Sequence, residues 1–268
     1  MSALAQLPTL VISLEPDTAD VRDLLRKLGN LGFKPQLFAA VDGRSAMPVL
    51  RAGESVDQAS SLLRRRAILS NAEVGCFLSH ARAIREAYTK GAQHLLLLED
   101  DVEIRDGLVE VVQGILALPA EAEMVRLMGL KRRRRKVVAS IAECWQLVRP
   151  LRGWCGTQGY IINRSGMEKF IRHANCMSQP IDGFYDCYWE TGIRCYGIEP
   201  HVIAERQRPS SIAKPWGSMK PSRATVLRWH VFKLVRGLIM RRYRLRYLRD
   251  FYPNQLPDPS IKFARSKP

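Results

Sequence analysis

The sequence predicts an α/β protein, and three observations carry that expectation. The chain has 268 residues, enough for one sizeable core and an extension rather than two equal domains. Leu95 to Leu98 form an unbroken apolar run between His94 and Glu99-Asp100-Asp101, which fits a strand buried on both faces of a sheet. Patterns of strand, helix and strand also alternate through the first hundred residues, the order of a parallel sheet.

The elements follow in turn. Thr9 to Leu14 reads as a first strand, and Val21, Leu24, Leu25 and Leu28 mark one face of a helix stopping at Gly29. Phe33 to Ala39 returns as a strand whose Pro35 favours a sheet edge. Asp42-Gly43 is a turn, and residues 44–61, with no clear period, read as a loop. Ser70 and Glu73 form a capping box opening a helix that Gly91 ends. Beyond the acids, Asp106 is expected to cap a helix through Val111 to Leu116, and Met124 to Leu130 reads as a strand. The block Lys131 to Lys136 is a loop or hairpin tip, and Gly156 to Asn163 is a turn entering a strand. Ser165 and Glu168 read as a second capping box.

The formal net charge is +16, held largely in residues 131–136 and in the tail, where Arg228, Lys233, Arg236, Arg241 and Arg242 alternate with apolar residues. Those cations interrupt any stretch long enough to span a bilayer. We therefore expect a catalytic domain over residues 1–213 and a basic amphipathic extension over 214–268 that lies on an anionic membrane surface. A solvated basic helix face and a nucleic-acid surface are the alternatives. The N-terminal residues show no charged segment followed by an apolar one, so no secretory signal is expected. The expected location is the cytoplasm, peripherally attached to the cytoplasmic face of the inner membrane. Six cysteines without metal-ligand spacing read as reduced thiols.

Three adjacent carboxylates at a strand's carboxyl end need a partner, and a hard divalent cation, Mn²⁺ or Mg²⁺, suits an all-oxygen set. On an extended chain, adjacent residues point to opposite faces, so the three are not expected to act alike. Asp101 is the expected direct ligand, Glu99 a ligand through water, and Asp100 an acceptor of hydrogen bonds. The acids alone also allow a capping or solvated role.

Five motifs in order resemble glycosyltransferase family 25, the lipooligosaccharide glycosyltransferases related to the collagen galactosyltransferases. They are Ala39 to Arg44, Glu73-Val74-Gly75-Cys76-Phe77-Leu78-Ser79-His80, Leu98 to Val102, Gly156-Thr157-Gln158-Gly159-Tyr160-Ile161-Ile162, and Pro180-Ile181-Asp182. One departure is the segment Ser13 to Asp17, which lacks the arginines the family usually carries there.

The resemblance implies a GT-A type (Rossmann-like) catalytic domain with a mixed sheet. It also implies a UDP-sugar donor, UDP-galactose or UDP-glucose, and inverting transfer of a hexose, galactose first, to a glycolipid saccharide acceptor. On that basis Asp42, Gly43, Ser79, His80 and Asp100 are donor-binding candidates. Thr157 and Tyr160 are acceptor candidates, and Glu99 and Asp101 hold the metal. Asp182 is the first candidate for the general base and Asp186 the second; Asp182 as a helix cap is the alternative. Cys76 reads as packing, and His201 is a further candidate for the metal shell. Two other classes stay open: a metal-dependent nuclease or phosphoryl-transfer enzyme, and a non-catalytic basic protein. No nucleic-acid partner is expected on the transferase reading.

Overall fold

The computed structural model describes residues 3–206 and 223–251. In chain order the elements are α1 (Ala3–Gln6), β1 (Thr9–Ser13), α2 (Ala19–Asn30), β2 (Pro35–Ala39), β3 (Ser55–Val56), α3 (Gln58–Arg65), α4 (Asn71–Thr89) and β4 (His94–Glu99). Next come β5 (Val102–Ile104), α5 (Leu108–Leu116), β6 (Met124–Arg126), β7 (Arg135–Ala142), β8 (Trp145–Pro150), β9 (Gly159–Asn163), α6 (Arg164–His173) and β10 (Cys176–Met177). The rest are α7 (Ile181–Asp186), α8 (Tyr188–Thr191), β11 (Cys195–Glu199), β12 (Ile203–Glu205), α9 (Arg223–Arg246) and α10 (Leu248–Phe251).

Eight strands form one mixed sheet in the order β2-β1-β4-β9-β6-β11-β8-β7. β1 runs parallel to β2 and β4, whereas β9 is antiparallel to both β4 and β6. Helices cover both faces. The leucine run of β4 alternates between them: Leu95 and Leu97 pack with α4, α6 and α7, while Leu96 and Leu98 pack with α1, α2 and α5. All four are fully buried, which is why the strand is apolar without interruption. β2 is an edge strand beginning at Pro35, as the missing N–H requires.

The capping box at Ser70 and Glu73 is present. Other expectations need correction. Residues 44–61 contain β3 and the start of α3, whose cap is Asp57 accepting from the Ser60 N–H at 2.8 Å. α5 starts from Gly107 at φ 83°, with no side-chain cap from Asp106. The second box is absent: Asn163 accepts from the Gly166 N–H at 2.9 Å, and the Ser165 hydroxyl donates to Glu123 at 2.7 Å. β7 and β8 form an antiparallel hairpin, and the basic block leads into it rather than making its tip. Arg135 from that block is buried against Glu199 at 2.7 Å.

The tail helix α9 packs on α3 and α8. Its inner face carries Trp229 and Phe232, over which the guanidinium groups of Arg66 and Arg64 lie at 5.0 and 5.6 Å. Its outer face exposes Leu227, Leu234, Leu238 and Leu245 beside Arg228, Lys233, Arg241 and Arg242. Apolar residues thus lie on both faces, so the helix is not amphipathic in the simple sense expected. Among the described residues no helix is long and apolar enough to cross a membrane. The expected boundary near residue 214 lies outside the described residues.

Two glycines let the turn after β2 touch α4. A Cβ on Gly43 would stand 2.0 Å from the Asn71 carbonyl oxygen, and one on Gly75 would stand 2.6 Å from that of Val41. Gly43→Ala is expected to destabilise the fold by about 1–3 kcal/mol. Gly29→Ala, at a helical position with open space around it, should instead stabilise by about 0.4–1 kcal/mol. Urea unfolding midpoints of the two variants test the pair.

Candidate active site

A cleft of about 770 Å³ opens at the carboxyl ends of β1 and β4. β4 delivers Glu99 to its wall, and the turn into β5 adds Asp100 and Asp101. That turn is clamped by backbone hydrogen bonds from the Glu99 N–H to the Gln158 carbonyl (2.8 Å) and from the Arg206 N–H to the Asp101 carbonyl (2.6 Å). Asp182, in the first turn of α7, lines the same cleft. The helix cap is Pro180, so Asp182 is not spent on capping α7, although one oxygen accepts from the Gly183 N–H at 2.7 Å.

Glu99 is tied into a chain of hydrogen bonds. One carboxylate oxygen meets His80 Nε2 at 3.2 Å and also accepts from the Thr157 hydroxyl. His80 Nδ1 lies 2.9 Å from the Tyr160 hydroxyl, which lies 2.6 Å from that of Tyr185. Burial alone would raise the Glu99 pKa, but the His80 and Thr157 contacts outweigh it and hold the carboxyl below its usual range. Asp100 accepts from the Ser13 hydroxyl at 2.6 Å.

Asp182 and Asp186 differ. Burial and the charge of Asp186 raise the Asp182 pKa. Asp186 pairs with the buried Arg126 at 2.8 Å and accepts from the Cys155 N–H at 3.2 Å. It lines a separate cavity rather than the cleft. Asp186 is therefore a positioning group that also raises the basicity of Asp182.

The cleft also brings together Gly43, Ser79, His80 and Thr157, but their roles differ from a simple ligand list. Gly43 is required by backbone contact with Asn71. The Ser79 hydroxyl accepts from the Val41 N–H at 2.8 Å and donates to the Gly75 carbonyl at 2.7 Å, pinning the turn to the helix. Thr157 is occupied with Glu99. Asp42 stands outside the cleft lining, held by Arg44 at 2.9 Å, and this pairing lowers its pKa. Tyr160 is fully buried behind His80 and does not face the cleft, so the acceptor contact expected of it is replaced by support of the imidazole. His201 packs on Trp154 at a ring distance of 5.7 Å and is not among the cleft residues.

Sequence reasoning gave no role to Arg44 or Arg65, two cations on the cleft wall. Arg44 bridges Asp42 and Glu15 (2.7 Å), and Arg65 pairs with Glu73 at 2.6 Å. The run Arg64-Arg65-Arg66 just before the Ser70 cap was the available signal for Arg65.

The donor set suits a hard cation. Glu99 and Asp100 have no ion pair with lysine or arginine among the described residues, His80 being the basic partner of Glu99, and all three acids offer oxygen. Cys76 lies with His80 and Glu99, their ligand atoms within 4.8 Å of one another. Burial and the charges of Glu99 and Asp182 push its thiol well above the usual range, however, so Cys76 packs as a thiol rather than offering a thiolate.

The architecture defines an α/β protein with an acid-lined cleft where its parallel strands end. The chain belongs to glycosyltransferase family 25 (LPS biosynthesis protein), whose profile its residues 6–185 match. It is similar to the lacto-N-neotetraose biosynthesis glycosyltransferase LgtB of Neisseria gonorrhoeae, at 28% identity over 168 residues covering 60% of this chain. The match spans only 58% of that relative's length. The LgtB of Neisseria meningitidis serogroup B is 28% identical over 209 residues, covering 73% of this chain and 74% of the relative. Among solved structures, A197 from STIV aligns at TM-score 0.43 and 14% identity, covering 76% of this chain and 87% of its own. A glycosyltransferase involved in glycosylation of the PBCV-1 major capsid aligns at TM-score 0.38 and 11% identity, covering 85% and 98%.

Removing the hydroxyl in Tyr160→Phe leaves His80 Nδ1 and the Tyr185 hydroxyl short of a partner in a dry interior. A loss of about 1–3 kcal/mol in unfolding free energy is expected, measured in urea. A midpoint matching the parent would show the hydroxyl chain to be dispensable.

Proposed function

We propose that the chain transfers a hexose, galactose first, from a UDP-sugar to the saccharide of a lipooligosaccharide acceptor, with inversion and with Mn²⁺ or Mg²⁺ bound. The observation that carries this reading is one cleft of about 770 Å³ lined both by Glu99, Asp100 and Asp101 and by a carboxyl of raised pKa, Asp182. Family membership favours transfer of a sugar over the phosphoryl-transfer and non-catalytic alternatives. The relatives' role in lacto-N-neotetraose biosynthesis supports a saccharide acceptor.

Asp182 takes the proton of the acceptor hydroxyl as that oxygen attacks the anomeric carbon. Its raised pKa suits that task, because a carboxylate that holds a proton more tightly is a stronger base. Glu99, kept ionised by His80 and Thr157, and Asp101 would hold the cation, with Asp100 beside them. A bound divalent cation supplies charge neutralisation for the departing nucleoside diphosphate. Arg44 and Arg65 also line the cleft, each with its charge paired to carboxylates.

The exposed leucines and cations of α9 support peripheral attachment to an anionic bilayer. Such attachment would bring the enzyme to a glycolipid acceptor and suits the inner leaflet.

Asp101→Asn is expected to lower metal-dependent turnover of UDP-galactose by about 10²–10³-fold, and undiminished turnover in excess EDTA would remove the cation from the mechanism. Asp182→Asn should lower kcat by about 10²–10⁴-fold with UDP affinity retained. The base works deprotonated and its pKa is raised, so the acidic limb of the wild-type rate profile should lie above that of an ordinary aspartate. The same raised pKa means that Asp182 loses stability as pH rises through it, so Asp182→Asn should melt at a higher temperature than the parent at pH 7. For the membrane, phosphatidylglycerol vesicles should sediment the protein at low salt and release it at high salt. Leu234→Asp combined with Leu238→Asp should weaken that binding, and equal recovery with neutral and anionic vesicles would overturn it.

A further inference from the structure

A second cavity, of about 320 Å³, adjoins the cleft. Arg65 and Pro180 line both spaces, so they form a shared wall. Asp182 lines the cleft, and Asp186, one helical turn further along α7, lines the second cavity. The second cavity is closed by Arg64 of α3, Arg152, Trp189 of α8, and Arg236 and Met240 of α9. Its volume is at the small end for ligand sites, suited to a sugar ring rather than a nucleotide.

The lining is rich in donors and poor in acceptors. Glu190 answers two arginines at once, Arg64 and Arg236, each at 2.7 Å. Asp186 is already paired with Arg126, and Arg65 with Glu73. Arg152 is exposed and has no ion-pair partner among the described residues. Two buried donors of lining side chains, Arg64 Nε and Trp189 Nε1, lack an acceptor. The Arg236 guanidinium lies 5.2 Å from the Trp189 ring centre, which fixes the indole at the cavity wall. Surplus positive charge beside a flat aromatic face is the chemistry that recognises an acidic saccharide: the indole takes the C–H face of the ring and the guanidinium groups take the anion.

We propose that this cavity is the acceptor subsite for a sugar bearing a carboxylate or phosphate, next to the sugar whose hydroxyl Asp182 deprotonates. The proposal rests on the transferase reading and adds the class of acceptor. An acceptor seated there reaches over Pro180 to the base, and α9 is part of the substrate site rather than only a surface appendage.

The test uses the full chain with manganese and UDP, titrated calorimetrically with glucose, glucose 6-phosphate, glucuronate and inorganic phosphate. Both anionic sugars should bind at least about tenfold more tightly than glucose and more tightly than inorganic phosphate. Arg152→Gln and Arg236→Gln should each weaken the anionic sugars about tenfold, the loss of one charge-assisted hydrogen bond, while glucose is unaffected. Thermal melting checks the fold; Arg152→Gln removes no ion pair, so it remains informative if Arg236→Gln unfolds. Equal affinity for the three sugars, anionic binding unmoved by Arg152→Gln, or inorganic phosphate binding as well as glucose 6-phosphate would overturn the proposal. A chain that fails to bind UDP in the same cell would instead strike the transferase reading, whatever the sugars do.

Discussion

The carboxylate of Glu99 joins the fold to the site. It ends the central strand β4, where burial opposes its charge, and it stays ionised because His80 and Thr157 hold it. His80 in turn depends on Tyr160 of β9, and Tyr160 on Tyr185 of α7. One line of hydrogen bonds therefore runs from the acid-bearing strand through α4 and the antiparallel neighbour of β4 to the helix that carries Asp182. Packing and electrostatics are not separable here. The aromatic cluster of Phe77, Phe170, Phe184 and Tyr185 fixes the far end of that line as well as filling the core.

The same economy applies to the second acid pair. Asp186 gives its charge to Arg126 and its second oxygen to the Cys155 N–H, so it braces the segment that separates the two cavities. Its residual field still opposes ionisation of Asp182. Two carboxylates one helical turn apart thus divide their work, one held in place and the other kept basic.

Much of this was legible in the residues. β4 could be read because four leucines filling both layers leave no ambiguity, and α4 because Ser70 and Glu73 satisfy each other's backbone donors. The acids stood out for the reverse reason: three charges end an apolar run, although on their own they also fitted a capping or solvated role. What stayed hidden depends on contacts distant in sequence. α3 has only Leu62 and Leu63 as large apolar residues, too few to show a period, and its cap is an aspartate in a segment that reads as loop. The hairpin of β7 and β8 was masked by the arginines at its start, one of which is buried by pairing with Glu199, 64 residues away. Within the site, the motif residues were found, but spacing did not separate those that face the cleft from those that support it. Tyr160 belongs to the second kind, and Ser79, although it lines the cleft, spends its hydroxyl on the backbone of Val41 and Gly75; only their partners reveal it.

The strand order bears on how the protein is made. β11, close to the end of the main domain, is inserted between β6 and β8, which are drawn from segments 45–70 residues earlier in the chain. Until Cys195 to Glu199 have left the ribosome, those two strands present bare edges to each other and to neighbouring nascent chains. Synthesis that stalls just short of this point would leave a half-zipped sheet, so chaperone demand should peak there and subside within a few residues of elongation.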